Sequence, residues 1–430
     1  PLAAVLLVIS CTASAGQVPR AAAQPDITIS SQDRVYTAEQ FSNTVSVIDP
    51  STEKLLGVIT LGDSQPKNLS PLYKGELLVH GLGFSPDGRT LAVVAIGSNS
   101  VSFIDTANNQ VKGKTYLGRA PHEAFFTPDG KELWVTVRGE DYIAVIDPAR
   151  DHVIVKLIAT AGRPRDMSFN QDHSLLYVAC GDDDVIQVID VASLEVVDSI
   201  PTGRSPEMFK LSHDDALIYV SNEETSTVQV IDVGSKSIVF EVPTGAEPEG
   251  IALSSDGKTL YATSEVADMV HVVDAAEGVV MENVLVETRP RRFIQPSDGE
   301  IWVSNELSGT VSIIDLETFT VSETLQFLPP GFRQVDVTPV GMSMTHDGKT
   351  AVIGLGRANH VAFVDIATRE IQTYVLVGSR AWGTDISNDD STLYVANGLS
   401  DDLSIIDMAS RTNVLTMPVG RIPHSVVIDD

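Results

Sequence analysis

An all-β fold, organised as a single closed β-propeller of four-stranded blades, is what this 430-residue sequence predicts. Three observations carry the expectation. A motif returns with a period of about 42 residues, the length of one propeller blade; each period divides into four short β-rich runs; and the two ends of the chain supply complementary parts of one blade.

The motif is clear in residues 44–62, TVSVIDPSTEKLLGVITLG, where an apolar run closes on Val-Ile-Asp and a second run ends in Gly. The closing aspartate recurs as Asp49, Asp105, Asp147, Asp190, Asp232, Asp274, Asp315, Asp365 and Asp407. Neighbouring copies lie 41 to 43 residues apart, except after the first, where the interval is 56, and after the seventh, where it is 50. One whole repeat, residues 248–288, contains the runs IALS, TLYAT, MVHVVD and VMENVLV, rich in β-branched and aliphatic residues and separated by turn formers. These are strands A to D. An Asp-Gly pair links A to B here and at Asp87-Gly88, Asp129-Gly130, Asp298-Gly299 and Asp347-Gly348, a hairpin signal. The aspartate ending strand C is expected to accept backbone N–H groups of the C–D turn, a structural role for all nine copies.

The first unit, from Val35, has strands B, C and D only, while the chain finishes with IPHSVVIDD, an A strand without a B. Pairing the last strand with the first three closes the ring and leaves no raw sheet edge. The count is therefore nine blades, with an eight-blade ring carrying one irregular unit as the alternative.

Residues 1–33 read as a leader and linker and 34–430 as the propeller. The start, PLAAVLLVISCTASAGQVPR, has the apolar run and small residues of the later part of a secretory signal. Two processing routes stand open: Ala13-Ser14-Ala15 fits a signal-peptidase site before Gly16, and Val8-Ile9-Ser10-Cys11 resembles a lipobox with Cys11 lipidated. The run is too short for a membrane span, so the expected location is extracytoplasmic, periplasm or cell surface, with any membrane contact through an anchor at Cys11. Beyond it only Cys180 remains, a small apolar core residue with no disulfide partner. With 29 basic against 58 acidic residues, the net charge of −29 repels phosphate backbones and anionic membranes. Nucleic acid is therefore a poor partner, and none is expected.

The stretches LYVSNEETSTVQVIDV, LYVANGLSDDLSIIDM and GAEPEGIALSSDGKTLY resemble the YVTN-repeat β-propellers of the lactonase-like and quinoprotein-like superfamily. VLVETRPRRF, SNELSGTVSIID and TPVGMSMTHDGKTAVIGLGRANHVAFVD are similar to the propellers associated with PQQ-dependent catabolism, over most of residues 34–430. That resemblance implies an accessory role beside a quinoprotein redox system. The family looks seven-bladed, and this chain carries two further units.

In such blades the D–A and B–C connections share the face around the channel mouth. Both long intervals come from D–A insertions, DSQPKNLSPLYKGELL and FLPPGFRQVDVTP, and insertions collected on one face mark it as the working face. Counting back eight places from the turn Gly gives one position at the start of each inner strand: His424, His80, His122, Arg165, Glu207, Glu249, Arg291, Val340 and Trp382. A core position would be apolar nearly throughout; this one is expected to face water in the channel.

His80, His122 and His424 fall on consecutive blades, so their imidazoles can converge on an ion, and three His with an open position suit zinc, iron or copper. The alternative is a wet mouth in which they are solvated or pair with Glu123. Across the ring, Glu223, Glu265 and Glu306 each stand nine residues before their aspartate and join Glu207 and Glu249 in a carboxylate arc bordered by Arg289, Arg291 and Arg292. Such an arc either holds a polar ligand or cation, or ties blades together as an Arg–Glu ring. Trp382, beside Arg380 in GSRAWGTD, either stacks on a ring-shaped ligand or caps the channel.

No P-loop, G-x-S-x-G elbow, Cys-x-x-Cys or c-type haem motif is present, which disfavours a self-contained nucleophilic enzyme. Three functions compete. The first is an exported binding or accessory propeller recognising a small molecule or a partner protein of a periplasmic redox system. The second is a metal-dependent lactonase-like hydrolase or oxidoreductase using the His trio. The third is a cell-surface adhesion or structural repeat protein. A transition metal or a haem-type group at the mouth is the cofactor class these residues would take.

Overall fold

The computed structural model describes residues 33–39, 44–61, 79–95, 99–108, 110–212, 214–244, 248–254, 256–420 and 423–429. The leader, with Cys11, and the first insertion, with Tyr73 and Lys74, lie outside the described residues. Nine four-stranded antiparallel sheets stand around one axis. Each inner A strand touches the A strands of both neighbouring blades, and the circle of contacts is complete.

Closure occurs where the chain ends predict it. The last strand, Pro423–Asp429, pairs antiparallel with Arg34–Glu39, from Arg34 opposite Asp429 to Glu39 opposite Pro423, and so becomes strand A of blade 1. The seam is packed as well as hydrogen-bonded. Tyr394 of blade 9 lies fully buried among Val35, Ile48, Val426 and Ile428 of blade 1.

That contact is one instance of a general device. One aligned position of strand B, thirteen residues before the closing aspartate, is a fully buried aromatic in seven blades, namely Tyr36, Trp134, Tyr177, Tyr219, Tyr261, Trp302 and Tyr394. Each inserts into the next sheet: Tyr177 against Phe209 and Ile218, Tyr219 against Ile251 and Leu260, Tyr261 against Phe293 and Ile301. An aromatic buried this way contributes up to about 3 kcal/mol by removing its ring from water. The two tryptophans satisfy their indole N–H on Glu132 and Glu300, both at 2.9 Å. Cys180 is a buried free thiol in the blade 3–4 core, its pKa pushed up to about 12 by burial.

The turns follow the expected chemistry with one difference. Each C-strand aspartate serves its C–D turn: Asp315 Oδ1 accepts the N–H of Glu317 (3.1 Å) and Thr318 (2.7 Å), and Asp274 Oδ1 those of Ala276 and Glu277. Those bonds hold the Asp315 carboxyl below its usual range, the Thr318 N–H foremost. The A–B link is longer than a two-residue hairpin. At Asp87-Gly88 the strands stop at Phe84 and resume at Thr90, Gly88 takes φ +68° and donates to Ser85 O, and Asp87 Oδ1 accepts from Ser85 Oγ and Arg89 N. Only at Asp298-Gly299 do strands pair directly across two residues.

Glu39, at the end of the seam strand, stands where other blades place Asn222, Asn305 and Asn397. Asn305 donates to Thr310 and Ser312 (3.0 and 2.9 Å). Glu39 uses the equivalent neighbours, accepting from Thr44 Oγ1 (2.8 Å), Ser46 N (3.2 Å) and Thr37 Oγ1. It is fully buried, and burial raises its pKa from 4.5 to about 7 against those hydrogen bonds. A raised carboxyl pKa stabilises the fold below its unfolded value, and that contribution is lost as pH rises from about 4.5 through about 7. Glu39→Gln should therefore leave stability nearly unchanged at pH 5 and raise it at pH 8 by roughly 1–3 kcal/mol. Urea unfolding of both proteins at the two pH values checks this; an equal difference at both would show that Glu39 does not titrate in the fold.

Candidate functional site

Eight of the nine inner strands place the aligned residue second, as in Pro121–Phe126 for His122, Pro164–Phe169 for Arg165, Pro206–Leu211 for Glu207 and Ala381–Ile386 for Trp382. The A–B register shifts there in blade after blade, for instance between Pro206 and Met208. The residue is thus the extra member of a β-bulge, a device that re-aims a side chain. Val340 is the exception. It is buried two residues before its short inner strand, Met342–Met344, because the second insertion ends there.

A repeated backbone clamp holds this register. Two residues before the bulge, Ala120, Arg163, Ser205, Arg289 and Arg380 all adopt φ between +53° and +61°. Their N–H groups donate to Asn99, Asp141, Asp184, Asp268 and Asn359 of the preceding B–C loops. Their carbonyls accept the N–H of Arg138, Gly181, Glu223, Glu306 and Gly398 in the following B–C loops. These five D–A connections are pinned from both sides, so the side chains they lead into start from fixed backbone.

The carboxylates predicted as one arc form two described clusters, each neutralised by arginine. Glu265 and Glu306, from blades 6 and 7, face Arg289 and Arg291: Arg291 Nε is 3.0 Å from Glu265 and its Nη1 3.1 Å from Glu306, while Arg289 reaches the same pair at 2.9 and 3.3 Å. Glu207 and Glu223 of blade 5 both meet Arg165 of blade 4, Glu223 at 3.2 Å. Arg165 and Glu265 are buried, whereas Glu207 and Glu223 stay half exposed. The side chain of Glu249, between the clusters, lies outside the described residues.

Of the His trio, His80 and His424 hold their places in the inner strands, but their side chains lie outside the described residues. His122 is largely buried, its Nδ1 3.3 Å from Glu123. Burial, then the positive charge of Arg138, lowers its pKa to about 4. It is therefore neutral at pH 7, the form that ligates metals. Among the described residues no three His, Cys, Asp or Glu side chains are grouped to hold a metal ion. Trp382 is half-buried and carries Arg380 Cζ 4.5 Å from its ring centroid, while Arg380 itself is exposed.

Three further residues belong to this mouth. Arg165 bridges blades 4 and 5, and its place in the aligned ring was the signal for it. Asp166 follows it, half-buried, accepting the N–H of Phe209 at 3.1 Å, with its pKa raised to about 6 by desolvation and then by Glu123. Arg138 occupies, in blade 3, the position nine residues before the aspartate that Glu223, Glu265 and Glu306 occupy in theirs.

The fold and mouth define a nine-bladed β-propeller with a charged, bulge-built rim. A family model described as a YNCE-like beta-propeller matches residues 87–253. No curated protein matches the chain. Solved structures similar to it include the dihydro-heme d1 dehydrogenase NirN in complex with DHE, at 17% identity and TM-score 0.62, over 82% of this chain and 74% of that one. Apo AztD from Citrobacter koseri is similar at 14% identity and TM-score 0.52, over 92% and 97%. A eukaryotic initiation factor reaches TM-score 0.63 at 12% identity, over 93% and 99%. These likenesses show the propeller fold.

Because Arg291 is mostly buried between two carboxylates, Arg291→Met should destabilise the protein by about 2–4 kcal/mol, less than a fully isolated pair since Arg289 remains. Adding Glu265→Gln should restore part of the loss, with a coupling energy of roughly 1–3 kcal/mol in a double-mutant cycle by urea unfolding. Simple additivity would show that the pair does not hold blades 6 and 7.

Proposed function

We propose that this chain is an exported accessory propeller whose mouth recognises a haem-type or other ring-shaped polar molecule, or the partner protein that carries it, in a periplasmic redox system. The observation that carries the reading is the bulged ring: eight blades place the same inner-strand residue in one register, and those residues are His, Arg, Glu and Trp rather than core aliphatics. The likeness to NirN in complex with DHE supports the ligand class, and the signal-like leader supports export. A haem-type group would bring one-electron chemistry with it. If such a group binds, His122, neutral at the rim, would supply a nitrogen donor to it, and the Trp382 face would supply a stacking platform.

A second reading has its own observation. His424, His80 and His122 occupy the same register on blades 1, 2 and 3, which suits a transition metal and a metal-dependent hydrolase or oxidoreductase. One pair of measurements separates the readings. Haemin titrated into the purified protein should give a saturable Soret shift that His80→Ala/His122→Ala abolishes while the melting temperature stays within about 2 °C, since His122, though largely buried, belongs to no apolar core cluster among the described residues. Stoichiometric metal in the wild type, lost in the same variant, would favour the enzyme. Neither haemin nor metal binding in the wild type would remove the site from the His side of the mouth, and a large loss of stability would make the histidines structural.

A further inference from the structure

The arginines of the mouth are not equally satisfied. Arg163 has Asp182 at 3.2 Å, Arg165 has Glu207 and Glu223, and Arg289 and Arg291 share Glu265 and Glu306. Arg138 differs. Its backbone N–H joins the clamp on Ala120, but among the described residues its partly buried guanidinium takes part in no hydrogen bond or ion pair. Its strongest charged neighbour is a like charge, Arg163, ahead of Glu223 and Asp182.

The neighbouring carboxylates are already engaged. Asp182 meets Arg163, Glu223 meets Arg165, Glu123 lies against His122, and Asp166 accepts the N–H of Phe209. The ring pattern explains the imbalance. In blades 5, 6 and 7 the B–C position holds Glu223, Glu265 and Glu306, each paired with arginine. In blade 3 it holds Arg138, and in blade 4 Gly181, over which Arg163 and Arg165 lie so closely that an added Cβ would meet their Nε atoms at 3.3 and 3.0 Å. The sector between blades 3 and 4 therefore has a guanidinium without its carboxylate. A partly desolvated, unpaired charge costs stability unless an anion joins it, and a guanidinium fork matches a carboxylate in two parallel hydrogen bonds.

We propose that Arg138, flanked by Arg163, is a binding subsite for a carboxylate of a small anionic ligand at the mouth between blades 3 and 4. This deepens the ligand-binding reading of the mouth but uses neither haemin nor the histidines, so its failure and the failure of that reading are distinguishable. The probe is tricarballylate, titrated calorimetrically in low-salt buffer into the wild type, Arg138→Gln, and Arg119→Gln. Arg119 is an exposed, Glu140-paired arginine of the same face and reports the general effect of losing one positive charge.

Saturable binding to the wild type, weakened at least about tenfold in Arg138→Gln and retained in Arg119→Gln, is the expected result. Without probe, Arg138→Gln should melt at or above the wild-type temperature, because the substitution removes a partly desolvated charge that no ion pair or hydrogen bond among the described residues holds. No saturable binding, an equal loss in Arg119→Gln, or a lower melting temperature of Arg138→Gln would each overturn the proposal. The last would mean that the guanidinium serves the fold itself.

Discussion

The pairing of Arg34–Glu39 with Pro423–Asp429 is the constraint on which the molecule depends. Blades bury their aromatic residues in the following sheet, so an open array would leave one blade without a host and one without a guest. Closure removes both defects together. Tyr394 gains Val35 and Ile428 as its pocket, and the inner edge of blade 1 is covered rather than left to pair with another chain. Stability here is a property of the ring, in which each junction supports the next, more than of any single blade.

Closure also decides what the mouth can be. Inner strands that touch only their two neighbours cannot fill the axis with apolar side chains, and the bulge in nearly every inner strand turns one residue aside at the rim. The clamp of left-handed D–A residues between successive B–C loops then fixes those rim positions without help from the side chains they carry. Chemistry at the rim is consequently free to vary from blade to blade. The sequence uses that freedom to place histidines on one side, neutralised Arg–Glu clusters on another, and Trp382 with Arg380 on a third.

Much of this was legible from residue order. Blade number, strand sequence and closure followed from the nine aspartates and the two ends, because those features serve local turns and pairing that repeat without reference to distant residues. The rim register followed as well, since each unit is collinear with the next; it failed only at Val340, where an insertion breaks collinearity. What counting could not supply was which charges meet. Arg165 reaches across a blade boundary to Glu207 and Glu223, and Glu265 of blade 6 pairs with arginines of blade 7, contacts set by the curvature of the ring. Asp166 and Glu39 were invisible for a different reason: their significance lies in surroundings that withhold water from the carboxyl, half-burial for Asp166 and full burial for Glu39, and an acidic residue in a chain of charge −29 reads as surface. Arg138 could have been found, because it is the one basic residue at that position among the nine repeats.

Native-state hydrogen exchange, followed by mass spectrometry on fragments covering 34–39 and 423–429, tests closure most directly. If the seam is a full junction, these strands exchange only through the same global opening as the buried strand Glu300–Asn305 of blade 7, with equal protection and equal denaturant dependence. Exchange of the seam in a separate, lower-energy opening while blade 7 stays protected would show that the ring is held elsewhere, and would contradict the account.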